Sequence, residues 1–314
     1  MLMANSETCC VCEKSAARAI GQRPFCDEHY ANATRQNNTF LRSGLINLGL
    51  IIVFTVAVYL IANLLPADFV SNNLVIIGLV LAVIPAALWL NFFYQQDRLE
   101  PEPHHFVLGV FILALLATDF VWNRVINDFF HLTDWIARDN TSALIGNIFV
   151  IGFLLQAIVY VVLRATVYPT TEFDERMDGI VYGTSAGLGI ATMLNINFIL
   201  ESGGADLGLG VIHVVVTSLA QAAFGGVVGY FMGEMKFTDE PAWWMPLGIV
   251  LAASLDGVFE YLIVEVNSAG LQVSPWRGLI FALVVAVATF GALIFLIRRA
   301  IDHTLKHQPA GTGD

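Results

Sequence analysis

Eight stretches of this chain run for close to twenty residues with almost no charge, and that repetition leaves few folds open. They cover 45–65, 74–94, 105–122, 142–163, 179–200, 210–232, 245–266 and 276–297. The hydrocarbon core of a bilayer takes about 20 residues of α-helix to cross. Inside it no water is available to backbone N–H and C=O groups, so they must be satisfied within a helix or a closed barrel. Segments this long and unbroken select the helix. The expected fold class is all-α: a polytopic membrane helix bundle of about eight transmembrane helices, in contact with the lipid bilayer. The expected domains are a head at 1–42, the membrane domain at 43–300 and a tail at 301–314. Composition agrees, because only 13% of the residues are charged, against about a quarter in a soluble domain.

An even number of crossings puts both ends of the membrane part on one side. If that side is the cytoplasm, the inner segments hold Arg35, Arg42, Arg98, Arg164, Arg176, Lys236, Arg298, Arg299 and Lys306. The outer loops hold only Arg124, Arg138 and Arg277. Lys and Arg collect in cytoplasmic loops, so the bias predicts a cytoplasmic-membrane protein with both termini in the cytoplasm. No apolar leader stands out in residues 1–42, and no cleavable signal peptide is expected. A net charge of −11 with no basic run excludes nucleic acid as a partner class.

The head carries all four cysteines, so disulfides cannot staple the membrane part. Cys9-x-x-Cys12 and Cys26-x-x-His29 are two ligand pairs at zinc-site spacing, each short enough for a turn to aim both side chains at one ion. Cys10 could replace Cys9, but Cys9 leaves the better gap. A segment this short buries too little apolar surface to fold alone, so a bound zinc would supply the folding energy. Four protein ligands close such a site, which makes the expected zinc structural.

Within the membrane part, Asp178–Leu200 stands out. Gly179, Gly183, Gly187 and Ala191 recur every four residues, and Asn195 continues the row. On a helix that spacing lays a groove along one face, where a neighbouring backbone can approach closely. Ionisable groups inside spans are rare and point to function. His213, Thr217 and Gln221 lie four apart on the sixth segment, and Asp256 and Glu260 lie four apart on the seventh. His213 with the two acids could bind a metal, relay a proton or pair for stability.

Two stretches resemble a known family. Asp97-Arg98-Leu99-Glu100-Pro101-Glu102-Pro103 is similar to the D-R-x-E-P-E-P loop of the PrsW-type intramembrane metalloproteases. Asp178-Gly179-Ile180-Val181-Tyr182-Gly183 is similar to that family's D-G stretch. Asn195 stands at the Asn of the family's Glu-Asn pair, and His213 with Thr217 resembles its H-x-x-x-T helix. The resemblance covers roughly 85–300 and implies eight spans and a metal-dependent peptidase scaffold. It also implies departures. The family's E-E-x-x-K place reads Gln156-Ala157-Ile158-Val159-Tyr160, its Glu before Asn is Leu194, and its seventh-span His is Asp256. A metal-bound water needs several ligands and a carboxylate base, and of that set only His213 remains in register.

The resulting expectation is a PrsW-like membrane protein that no longer cleaves and instead binds membrane-protein helices, with single-span proteins as candidate partners. Two rivals use the same residues. One is an active metalloprotease rebuilt on His213, Asp256 and Glu260; the other is a proton-coupled transporter or channel. No second metal is expected in the membrane domain unless that site has been rebuilt.

Overall fold

The computed structural model describes residues 8–9, 12, 14–20, 23–34, 38–62, 64–95, 102–136, 138–202, 207–268 and 275–306. Cys10, Arg35, Arg98 and Glu100 lie outside them.

The head is a hairpin and a short helix. Strands β1 (Arg18–Ile20) and β2 (Arg23–Phe25) pair antiparallel, with Arg18 opposite Phe25, and α1 (Asp27–Thr34) follows. Among the described residues its apolar centre is Phe25, Cys9 and Cys26, with Cys12 and Tyr30 packed against them.

The regular elements described in the membrane part are all helices. In order come α2 (Asn38–Ala62), α3 (Ala67–Asn72), α4 (Leu74–Tyr94), α5 (His104–Phe120), α6 (Leu132–Ile136), α7 (Asn140–Gly146) and α8 (Phe153–Ala165). Then follow α9 (Arg176–Glu201), α10 (Leu207–Phe237), α11 (Trp244–Ser268) and α12 (Pro275–Lys306). Pro103 is the N-cap of α5 and Pro275 opens α12, places where a helix needs no N–H, whereas Pro85 lies inside α4. Two stretches widen to π-helix, Val121–Phe129 after α5 and Asn147–Gly152 between α7 and α8. Sequence periodicity did not reveal either one.

Among the described residues, seven helical stretches are long and apolar enough to cross a membrane, from Arg42–Ala62 to Trp244–Ile263. The eighth expected segment, 276–297, lies within α12, whose 32 residues would extend about 48 Å. That helix continues to Lys306, six residues into the expected tail.

Burial ranks the helices. The apolar window of α10 is 83% buried and that of α9 is 72%, against 11% for α2. The outer helices turn Leu, Ile and Val outward, as lipid-facing surfaces do. At the centre α9 and α10 run antiparallel with backbone against backbone. A Cβ on Gly179, Gly183 or Gly187 would stand closer than 3.0 Å to the carbonyl oxygen of Gly229, Gly225 or Gln221. The row of small residues in the sequence is therefore a contact seam, and Gly225 and Gly229 supply its other half. Gly152 and Gly257 make a second such approach, between the π-helical stretch before α8 and α11.

Candidate functional site

Three groups of chemistry-bearing residues are gathered by this fold. The first lies where the loop before α5 meets the start of α9. Asp178 is fully buried, and its Oδ2 accepts the backbone N–H groups of Asp174 and Glu175, each at 2.7 Å. One turn further along α9, the Tyr182 hydroxyl donates to the carboxylate of Glu102. Tyr94, at the end of α4, donates to the backbone carbonyl of Glu102 at 2.8 Å. Glu102 is 5% exposed. Burial pushes its carboxyl up to about 7, against the opposing hydrogen bond from the Tyr182 hydroxyl. Glu102 of the first stretch that carried the resemblance thus meets Tyr182 of the second. The Tyr182–Glu102 bond was not foreseen, although Tyr182 sits one helical turn after Asp178 on the same face. Nearby, Arg176 pairs with Glu234 at 3.4 Å and closes the seam's end against α10.

The second group is a buried polar cluster between α8, α10 and α11. Asp256 has no exposed surface; it accepts Gln156 Nε2 and Gln221 Nε2, each at 2.7 Å. Gln221 also reaches Glu260 at 3.3 Å. Three helices are tied by one carboxylate. The amide oxygens of Gln156 and Gln221 face no hydrogen-bond donor among the described residues. Gln221 lies in the row of polar residues visible on the sixth segment, and the glycine seam brings its backbone against Gly187. Beyond that seam, Asn195 Nδ2 donates to the Val214 carbonyl at 3.1 Å and to Ser218 Oγ at 3.2 Å. Ser218 carried no signal in the sequence. Thr217 is 2% exposed, and its hydroxyl has no hydrogen-bond partner among the described residues.

His213 does not join this cluster. Its ring stacks on Phe198 of α9, with centroids 3.8 Å apart and planes 14° from parallel. Two helical turns separate it from Gln221, a rise of about 12 Å. His213, Asp256 and Glu260 therefore form no three-ligand group in this structure.

The third group is in the head. Cys9 Sγ lies 3.6 Å from His29 Nδ1, Cys12 Sγ lies 3.9 Å from Cys26 Sγ, and Cys26 Sγ lies 3.2 Å from His29 Nδ1. All four donor atoms lie within 4.8 Å of one another, so the group could hold a metal ion. It is the one such set of three or more ligating side chains among the described residues.

Comparison with known proteins converges on one family. A family model described as PrsW family intramembrane metalloprotease matches residues 102–293. Protease PrsW of Bacillus subtilis (strain 168) is 29% identical over 196 residues, covering 59% of this chain and 82% of that protein. Protease PrsW of Geobacillus kaustophilus (strain HTA426) is 29% identical over 183 residues, covering 58% and 77%. Protease PrsW of Oceanobacillus iheyensis is 24% identical over 227 residues, covering 71% and 95%. No solved structure matches. The head lies outside the family match.

Proposed function

We propose, from the premise that this chain belongs to the PrsW family of intramembrane metalloproteases, that it is a non-cleaving member that binds membrane-protein helices. The observation that carries this reading is the Gln156–Asp256–Gln221 cluster. The motif resemblance puts family carboxylate and histidine positions at Gln156 and Asp256. Here those two side chains are bonded to each other, and Gln156 presents an amide nitrogen, which ligates no metal. Leu194 and Ala157, at the other motif positions, have no donor atoms. His213 is turned flat onto Phe198. This donor set does not fit a hydrolytic metal, which needs several ligands and a carboxylate free to act as base. What remains of the scaffold is the packed α9–α10 centre, and single-span membrane proteins are the partners it is proposed to hold.

The same proposal assigns the head, residues 1–42, a structural zinc ion and leaves 43–300 as the membrane domain, with 301–314 as tail. Around zinc with bonds of about 2.3 Å to sulfur and 2.0 Å to nitrogen, tetrahedral geometry sets S···S near about 3.8 Å and S···N near about 3.5 Å. The head's distances of 3.9, 3.6 and 3.2 Å lie close to those values. Thiolates persist best in a reducing compartment, which together with the charge bias supports cytoplasmic termini.

The test is cleavage by the purified full chain in lipid, against a panel of single-span substrates. No chelator-sensitive product is expected. Chelator-sensitive cleavage that disappears in Asp256→Asn and His213→Ala would overturn the reading in favour of a rebuilt protease site.

A further inference from the structure

At the end of the bundle that holds the α8 C-terminus and the α11 N-terminus, α8, α10 and α11 leave a cavity of about 390 Å³. Its lining divides by chemistry. Met232, Met235, Met245 and Ile249 make an apolar, pliable wall, while Arg164 and Tyr168 bring a charge and an aromatic face. Arg164 is exposed, with its guanidinium carbon 4.3 Å from the centre of the Tyr168 ring. The ammonium of Lys236 lies 5.0 Å from the same ring. Two cations therefore share one aromatic side chain.

Neither cation forms an ion pair among the described residues. Lys236 donates to the carbonyls of Tyr168 at 2.7 Å and Phe173 at 2.6 Å, and the carboxylates of Asp178 and Asp174 act on it through space. Arg164, exposed and in the cavity's lining, is the charge open to an anion there, and the neighbouring Lys236 adds to the same positive field. The cavity's position indicates which kind. Trp243 and Trp244 lie in sequence between the lining residues Ala242 and Met245, Trp243 is 59% exposed, and such side chains anchor at the membrane–water interface. A cationic rim at interfacial depth above a methionine-lined wall matches a molecule with an anionic head and an apolar tail.

We propose that this groove binds an anionic phospholipid, with its phosphate on Arg164 backed by Lys236 and part of an acyl chain along Met232, Met235 and Met245. The site uses none of the residues of the Asp256 cluster, so it stands whether or not the chain cleaves. Arginine suits the role because its planar fork can donate two hydrogen bonds to one phosphate while stacking on tyrosine.

The experiment incubates the full chain, in a neutral detergent, with equal amounts of phosphatidylglycerol and phosphatidylcholine and measures retained lipid by mass spectrometry. Phosphatidylglycerol is expected in excess. Arg164→Ala removes one exposed cation and should lower that excess about fivefold, the factor equivalent to one interfacial basic residue. Ala242→Trp, which fills the groove from an exposed position, should lower retention of both lipids. Arg138→Ala, exposed on a separate loop, should change nothing. Equal retention of the two lipids, or a preference that survives Arg164→Ala, overturns the proposal. So does displacement of the lipid by inorganic phosphate at equal concentration, which would reveal a free-anion site.

Discussion

Replacing Gly183 by alanine should destabilise this protein, although alanine is the better helix former. The Cβ of alanine at 183 would stand closer than 3.0 Å to the Gly225 carbonyl oxygen, where ordinary contact lies at 3.4–4 Å. The obstacle is backbone, so no rotamer change relieves it, and the two central helices must separate locally by about 1 Å. The loss spreads along the seam, because Gly179 and Gly187 make the same approach to Gly229 and Gln221. Overpacking of this kind costs about 1–3 kcal/mol, and the helix-propensity gain of about 1 kcal/mol offsets only part of it. Gly49 in α2 and Gly109 in α5 provide the control, since a Cβ at either meets nothing within 4 Å. There the propensity gain is unopposed, so Gly109→Ala should stabilise. The two variants should differ by about 1–3 kcal/mol, or roughly 2–10 °C in thermal midpoint, measured on purified protein in mild detergent. If Gly183→Ala melts at or above Gly109→Ala, the helices are not in backbone contact and the seam is wrong.

Four other outcomes follow from the same structure. Glu102 titrates at about 7 when folded and at about 4.5 when unfolded, so the folded state binds the extra proton between those values and this group's stabilisation falls as pH rises through that window. Denaturant titrations at pH 5 and pH 8 should show wild type losing about 3 kcal/mol relative to Glu102→Gln; equal pH slopes would refute the assignment. Gln221→Leu removes one of the two donors to Asp256 and should cost about 1–3 kcal/mol in the same assay, whereas no change would mean the cluster is not held as described. A strong chelator should unfold the head alone, seen as loss of protection of Phe25 and Cys26 to hydrogen exchange, and added zinc should restore it; protection that survives metal removal would refute the metal-dependent head. In a chain without native cysteines, single cysteines at Asn72 and Ser202 should react with an impermeant thiol reagent from outside and one at Gln96 should not; the reverse pattern would invert the orientation.

Backbone chemistry made the architecture legible from sequence. A bilayer accepts only helices or closed barrels, so apolar runs at bilayer length fix segment type and approximate limits without knowledge of neighbours. The head's donor set was legible for a similar reason: the Cys9–Cys12 and Cys26–His29 spacings are local, and a short chain with three thiolates and an imidazole so placed has few other ways to fold. The row Gly179, Gly183, Gly187 marked a close approach, but not its partner. That partner is α10, which is antiparallel, and only three-dimensional packing sets Gly225 and Gly229 in register.

The interior site was decided by tertiary structure. His213 and Gln221 occupy one polar row at helical spacing, and sequence offers no way to separate them. Packing does: Phe198 covers one, and Asp256 captures the other. Gln156 and Asp256 lie a hundred positions apart, and their 2.7 Å contact depends on how α8, α10 and α11 meet. Likewise the motif holding Glu102 and the motif holding Asp178 read as two, and the Tyr182 hydroxyl joins the second to Glu102 of the first. Periodicity along one chain states which face a residue occupies, because the helical repeat is local. Which other face it meets is set by the packing of separate helices, and no local repeat encodes that.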